Sequence, residues 1–486
     1  MPAMTAMPPR RSTFRPAILP GLLLAATALL SGCATTGIDR HVEEVGTHGR
    51  AQLGVEPRWL RDEAQRAEAR ATVDALLAEP LAMEDAVRIA LAYSPAFQAT
   101  LNEALATDAS AAQAARLANP VFAFERLTRS VPGGTDVDIG RTLSFALFDL
   151  LLLPQRLRLA EHRQSQARIA TSAAVVRAVT DTRRAWVEAV AGEQRARYAE
   201  DVYTAAEAGA ELARRMRAVG NFSRLQQARE HAFQAEAAAA LTRARQQALA
   251  SREALVRTLG LDAGQAERLR LPAHLPKVPA NAAAADTVAR AIFDERLDVR
   301  LARANLDATA RELGLTRVTR YVDGVHVAAM RNSETGKSTQ RGWEIELPLP
   351  LFDFGDARAS NAEARYLASL NQVMQVAAEA ASQTREAHAA QLAAHALARH
   401  YQAEVVPLQR AITEEMLLRY NGMLSSVFDL LAAARAQSDS VTRALDAQRD
   451  FWLADTALKA ALLGAPSTPP ALHAAPPVSA ASGGGH

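Results

Sequence analysis

The chain has 486 residues, 49 % of them apolar and 22 % charged, and its 55 lysines and arginines against 53 aspartates and glutamates give a formal net charge of +2. That length can bury a large core, and so even a balance provides no overall field of the kind that attracts nucleic acid, so polyanion binding is excluded as the main role. Cys33 is the only cysteine, which excludes an intramolecular disulfide framework.

The first thirty-three residues read as targeting. Arg10, Arg11 and Arg15 precede an apolar stretch, Ala17 to Leu30, that ends in Leu30-Ser31-Gly32-Cys33. The stretch is short of the roughly 20 residues that a membrane-spanning helix needs, and its small terminal residues suit a signal peptidase. Leu-Ser-Gly-Cys resembles the bacterial lipobox, whose cysteine is acylated and becomes the new N-terminus. The resemblance implies a lipoprotein signal peptide over 1–32, a covalent diacylglycerol and N-acyl chain on Cys33, and a lipid-anchored linker over 33–80. Ala34 stands where lipoproteins retained in the inner membrane often carry Asp, which implies sorting to the outer membrane. His41, Glu43, Glu44 and His48 could catch a metal, but a flexible polar leader is the plainer reading.

Further along, Thr142 to Leu147 alternates at period two and pairs with Val121 to Leu127 across Pro132-Gly133-Gly134, which predicts a β-hairpin. No proline occurs between Pro154 and Pro272, and Ala, Leu, Arg, Glu and Gln dominate there, residues that lose little in a helix. A helix from Gln155 to Arg217 would be on the order of 95 Å long at 1.5 Å per residue. Pro272, Pro276 and Pro279 then punctuate a linker over 271–281. Tyr321 to Arg331 and Trp343 to Leu347, joined across Asn332 to Lys337, predict a second hairpin. Trp343, Ile345 and Leu347 share one face and Glu344 and Glu346 the other, whereas Asp323 falls on the face of Val325 and Val327. A second long helical stretch runs from Leu351 to Gly464, broken only by Pro407, and 465–486, rich in Pro, Ala, Ser and Gly, reads as a disordered tail.

These elements are duplicated. Leu147-Phe148-Asp149 returns as Leu351-Phe352-Asp353 at an offset of 204 (353 − 149), and Leu259-Gly260 returns as Leu463-Gly464 at the same offset (464 − 260). Arg217 to Ser223 corresponds to Arg419 to Ser425 at 202 (422 − 220), a slip that a small insertion or deletion explains. Two repeats follow, 81–270 and 282–464. Their small-residue richness predicts close multi-helix packing rather than a two-stranded rod with a leucine seam. No mature segment is apolar enough for a spanning helix, so any membrane crossing must use strands, apolar face to lipid and polar face to a lumen. Four strands cannot close a barrel, whereas three copies supply about twelve.

At this point the residues resemble the TolC-like family of outer-membrane efflux factors, from Leu81 to Gly464. The signs are the helix Ala86 to Leu91 followed by Ser94-Pro95, Asn119-Pro120 before the first strand, Leu349-Pro350-Leu351-Phe352-Asp353-Phe354-Gly355 before the second long helix, and Arg419-Tyr420-Asn421-Gly422 with Ser425 and Leu430. The resemblance implies a mainly α fold with a small β part: duplicated long-helix hairpins plus two β-hairpins, forming a trimeric 12-strand outer-membrane barrel continued by a periplasmic helical barrel. It further implies a passive exit duct with no cofactor, served by a periplasmic adaptor and an inner-membrane pump. Arg217, Gly220 and Ser223, with Arg419, Tyr420, Gly422 and Ser425, would form the periplasmic tip that meets the adaptor. Family members often carry aspartates six and nine residues after the turn glycine; here those positions hold Phe428 and Leu431, which leaves Asp429 as the candidate pore charge.

Catalytic signatures are missing: there is no phosphate-binding glycine loop, HExxH or CxxC. His388, His395 and His400 lie seven and five residues apart, not the three or four that put two ligands on one helical face. The expectation is therefore a non-enzymatic channel for small molecules, with a duct dedicated to heavy metals such as copper as the alternative. A lipidated adaptor would carry β-rich modules around a single hairpin, and a structural coiled coil would carry sustained heptads without amphipathic strands; the duplicated strand-to-helix pattern disfavours both.

Overall fold

The computed structural model describes residues 38–282, 296–321 and 324–465. Cys33, the leader and the C-terminal tail lie outside the described residues. The described chain divides into a sheet unit, residues 109–160 and 324–349, and a helical unit, residues 39–108, 161–282, 296–321 and 350–465.

In the sheet unit, β1 (Val121–Val131), β2 (Gly134–Ala146), β3 (His326–Glu334) and β4 (Gln340–Glu346) form one antiparallel meander in the order β1-β2-β3-β4. The β1–β2 turn is set by Pro132 and by Gly133, whose φ of +106° favours glycine. The two hairpins join through β2 and β3, from Asp138 opposite Glu334 to Ala146 opposite His326. The second hairpin starts at His326 rather than Tyr321. Asp323, the residue that broke the alternation, lies outside the described residues.

In the helical unit, α1 (Ile38–Leu53), α2 (Glu63–Leu76), α3 (Met83–Tyr93) and most of α4 (Pro95–Ala114) precede α5 (Leu147–Ala218), which enters the unit at residue 161. The unit continues with α6 (Arg224–Leu259), α7 (Ala263–Arg268), α8 (Leu297–Thr319), α9 (Asp356–His400), α10 (Val406–Asn421) and α11 (Val427–Leu462). His41, Glu43, Glu44 and His48, read from sequence as part of a flexible polar leader, therefore lie in the helix α1. The long helices start at different points in the two repeats. Leu147-Phe148-Asp149 is the first turn of α5, whereas Leu351-Phe352-Asp353 precedes α9, where the Asp353 carboxylate accepts the Gly355 N–H at 2.7 Å. Gly355 has φ +69°, and a Cβ there would meet the Arg320 carbonyl oxygen at 2.5 Å, so only glycine fits.

The buried positions of the hairpins follow a heptad. On α6 they include Ala237, Leu241, Ala244, Ala248, Ser251 and Leu255, and on α9 Ala380, Thr384, Ala387, Gln391, Ala394 and Ala398. Alternating spacings of four and three keep one stripe against a partner helix, and small residues let the backbones approach closely. Pro407 does not end the second long helix. Its missing N–H and its ring, which would collide with the carbonyl four residues earlier, are absorbed by a π-turn over Tyr401–Val405, where the Val406 N–H bonds back to the Tyr401 carbonyl. Pro407 follows as the second residue of α10.

The main core gathers where α3, α5 and α6 meet: Leu81, Ile89, Trp186, Val187, Val190, Leu255 and Leu259 are all buried, and the Trp186 indole N–H donates to the Leu81 carbonyl at 2.8 Å. The 271–281 linker is fastened to the hairpins by side chains. Gln448 donates to the Leu275 and Pro276 carbonyls, Trp452 donates to Pro276, and His395 Nε2 bonds the Pro279 carbonyl at 2.9 Å.

Candidate functional site

The two hairpin tips have the same geometry. At the first, Gly220 takes φ +81°, its N–H donates to the Arg217 carbonyl, and the Asn221 N–H reaches back to Met216 at 2.8 Å. These bonds satisfy the last carbonyls of α5 in the manner of a Schellman cap. Ser223 then caps α6: its hydroxyl accepts the Gln226 N–H at 3.2 Å while the Gln226 side chain accepts the Ser223 N–H at 2.7 Å.

At the second tip the same bonds run from Met423 to Tyr420 and from Leu424 to Arg419, at 3.0 and 2.8 Å. The left-handed residue is Met423, with φ +58°, and Gly422 has an ordinary φ of −80°. The capping serine is Ser426, not Ser425. Structural equivalence between the tips is thus 203 (423 − 220 and 426 − 223), one residue away from the alignment that matching Gly220 to Gly422 gives.

Asp429 completes the second cap. Its carboxylate accepts the Ser426 N–H and both the Ser425 and Ser426 hydroxyls, at 3.1, 3.1 and 2.7 Å. The Ser426 hydroxyl, then the Ser426 N–H and Ser425, hold this exposed carboxyl below its ordinary pKa. Among the other sequence-predicted tip residues, Arg217 donates to Gln227 at 2.6 Å and Arg419 to Glu415 at 3.0 Å. Tyr420 is exposed, and Val219, Met423 and Leu424 form an apolar rim at 73, 94 and 81 % exposure.

The two tips are tied to each other by contacts that no local pattern signals. The Phe222 and Phe428 rings lie 4.6 Å apart among Ala213, Val427, Met216 and Leu431. A little higher, the buried Glu230 on α6 meets Arg435 on α11 at 2.5 Å, and the same guanidinium lies 4.3 Å above the Phe233 ring. The Tyr198 hydroxyl reaches the Ser438 carbonyl at 3.4 Å. Together these form a latch between the first and second hairpins.

Elsewhere, His41 is buried in α1, with Nε2 2.9 Å from the Thr171 hydroxyl and Nδ1 3.3 Å from the Asp108 carboxylate. Burial pushes its imidazole below the ordinary pKa, and Asp108 opposes that shift. His400 pairs with Glu404 at 3.3 Å. Among the described residues no three His, Cys, Asp or Glu are grouped to hold a metal ion, and no helix is long and apolar enough to cross a membrane.

This arrangement is similar to that of known channels. The chain matches the outer membrane protein VceC of Vibrio cholerae with a TM-score of 0.65 and 18 % identity, over 79 % of this chain and 96 % of that one. The CmeC outer membrane channel of Campylobacter jejuni matches at 0.63 and 14 % identity, over 82 and 86 %. The MtrE outer membrane channel of Neisseria gonorrhoeae, in its open state, matches at 0.63 and 18 % identity, over 79 and 89 %. At such identities the likeness is one of fold, and the fold is the TolC-like fold of outer-membrane channels. No protein-family model matches the chain, and no curated protein matches its sequence.

Proposed function

We propose that this protein is the outer-membrane channel of a tripartite efflux system, a passive exit duct for small molecules. The observation that carries the reading is the amphipathic four-stranded sheet. Its two outer edges, β1 and β4, have no strand partner among the described residues. Row by row, Phe122, Leu143, Ala329 and Trp343 oppose one another on one face, and Ala123, Thr142, Met330 and Gly342 on the other. Open edges on a sheet with an apolar face call for more copies: three chains give about twelve strands, inside the range of outer-membrane barrels. The helical hairpins then continue the duct into the periplasm, and acylated Cys33 adds a lipid anchor.

Gating follows from the latch. With Phe222 on Phe428 and Glu230 on Arg435, the second hairpin is held against the first, and in this reading that contact keeps the duct closed. An adaptor that binds the splayed tips better than the latched ones shifts the population toward open, while an inner-membrane pump supplies the free energy. Arg217, Gly220, Ser223, Arg419, Tyr420, Gly422 and Ser425 are the adaptor-facing set in this reading, and the exposed Met423 and Leu424 extend it. Asp429 adds negative charge at the tip while capping α11. The π-turn before Pro407 is the weak point about which the second hairpin bends.

The direct test is whether the purified full-length protein migrates as a heat-dissociable trimer and inserts conducting pores into a planar bilayer. A protein that stays monomeric, or whose trimers conduct neither as wild type nor with the Phe222–Phe428 and Glu230–Arg435 contacts removed, contradicts the proposal.

A further inference from the structure

Three arginines stand side by side on the apolar face of the sheet. Arg141 on β2 is directly opposite Arg331 on β3, and Arg331 is directly opposite Arg341 on β4; Phe124 on β1 completes the row. Like charges on opposing positions destabilise a sheet. No carboxylate among the described residues pairs with any of the three, and the residues opposite one another on the other face in the next row are Glu125, Gly140, Asn332 and Gln340. Arg331 and Arg341 are exposed and Arg141 is half-buried. The sheet therefore carries three unneutralised guanidiniums across neighbouring strands, an arrangement that calls for an anion.

The surroundings say what kind of anion. Two residues along each strand, about 7 Å away, the same face carries Phe122, Leu143, Ala329 and Trp343, and beyond them Phe145, Val327 and Ile345. The arginines lie on the side of the β1–β2 and β3–β4 turns, and the apolar rows on the side where β2 runs into α5. On a lipid-facing strand an arginine is costly at the bilayer midplane and nearly free of cost at the interface. Tryptophan is enriched at that same interface. Trp343, two residues from Arg341, and the arginine row thus mark one membrane boundary, where lipid headgroups are. Guanidinium binds phosphate through paired hydrogen bonds, which makes arginine the residue suited to this contact. Three strands at about 4.8 Å spacing spread the charges over roughly 10 Å, wider than a single phosphodiester and suited to a headgroup with two separated phosphates.

We propose that Arg141, Arg331 and Arg341 form a binding site for the phosphates of a bisphosphorylated membrane lipid, with its acyl chains against the Phe122 to Trp343 row. The proposal rests on the channel reading, which turns this face toward lipid. Phosphate contacts at the hairpin end would neutralise the row and fix the depth at which the barrel sits.

Native mass spectrometry of the full-length trimer, loaded with bisphosphoryl lipid A, monophosphoryl lipid A or phosphatidylglycerol, tests it. The bisphosphoryl lipid should be retained preferentially, and changing all three arginines to Gln should lower its retention about tenfold or more. Arg331→Gln alone should show a smaller loss, and the triple Lys variant, which keeps the charge without the paired donors, an intermediate one. Arg129→Gln, on the opposite face across from Asp136, should change nothing. Equal retention by the triple Gln variant, an equal loss in Arg129→Gln, or equal retention of the monophosphoryl lipid overturns the site. If the triple Gln variant does not trimerise, Arg331→Gln and the Lys variant decide in the same way. Conductance of the same wild-type preparation keeps the readings apart: trimers that conduct but show no preference remove only the lipid site, whereas protein that neither inserts nor conducts removes the channel reading and this proposal with it.

Discussion

The two hairpins fall in the two halves of the chain that the sequence reads as repeats, and their buried side chains differ. The first, α5 with α6, packs Trp186, Val187, Val190, Leu255 and Leu259 into the main core, and burial continues down α5 through Ala206, Ala210 and Ala213 to Phe222 at the tip. The second, α9 to α11, is closed mostly by alanine, Ala380, Ala387, Ala394 and Ala398 on one helix with Ala447, Ala454 and Ala461 on the other, and Phe451 of α11 is the one aromatic ring buried in that seam. That stripe ends at Ala398, the π-turn follows, and α10 has no buried residue. Burying a Leu, Ile or Val stabilises by about 1.5–3 kcal/mol, against about 0.8 for a single methyl. The first hairpin is accordingly the strut, and the second is packed by buried side chains along α9 only as far as Ala398, below which the latch to the first hairpin holds it.

The largest expected effect belongs to the strut. Trp186→Ala removes a side chain that is 2 % exposed together with its bond to Leu81, and should destabilise the protein by about 3–5 kcal/mol, read as a fall in the denaturant midpoint. Second comes the alanine seam. Ala398 is fully buried, so Ala398→Leu should overpack it and destabilise by about 1–3 kcal/mol, whereas Ala403→Leu, exposed on the π-turn, should change the midpoint little. Equal effects at the two sites would erase the distinction between the tight and loose parts of this hairpin.

The tips differ in the residue that takes the left-handed turn. Met423 occupies the left-handed region that Gly220 occupies in the first repeat, which costs a side-chain residue about 1–2 kcal/mol. Met423→Gly should therefore raise the midpoint and Gly220→Ala lower it by a similar amount; changes of the same sign would refute their equivalence.

The smallest effect concerns His41, which ties α1 to Thr171 of α5 in the first repeat. Its folded pKa lies below its unfolded one, so the unfolded chain takes up the proton more readily. The contribution is therefore present above the ordinary imidazole value and lost as pH falls below it. Wild type should lose more stability than His41→Gln between about pH 7.5 and about pH 5.5. Parallel losses would show that His41 does not titrate against this cluster.

Much of this architecture is legible in sequence because its signals are local. Gly133 after Pro132 makes the β1–β2 turn, the proline-free run after Pro154 forms the longest helix, and the Leu-Gly pairs at 260 and 464 both end in left-handed glycines. The tips are less legible. Gly422 attracts the alignment because glycine is the expected left-handed residue, yet the hydrogen bonds assign that conformation to the next one. Pro407 reads as a break, but one residue more in the preceding turn carries the helix past it. The pairs that define the latch leave no trace in any window: Glu230 and Arg435 are 205 positions apart, and each alone looks like a solvated charge on a long helix.

In the proposed channel, contacts between the hairpins keep the duct closed. Single-channel recording of wild type beside a Phe428→Ala, Arg435→Ala double variant tests it most directly. Wild-type pores should be mostly closed or of small conductance, and the double variant, as an intact trimer, should stay open and conduct several-fold more. Intact variant trimers that remain as closed as wild type would contradict the account.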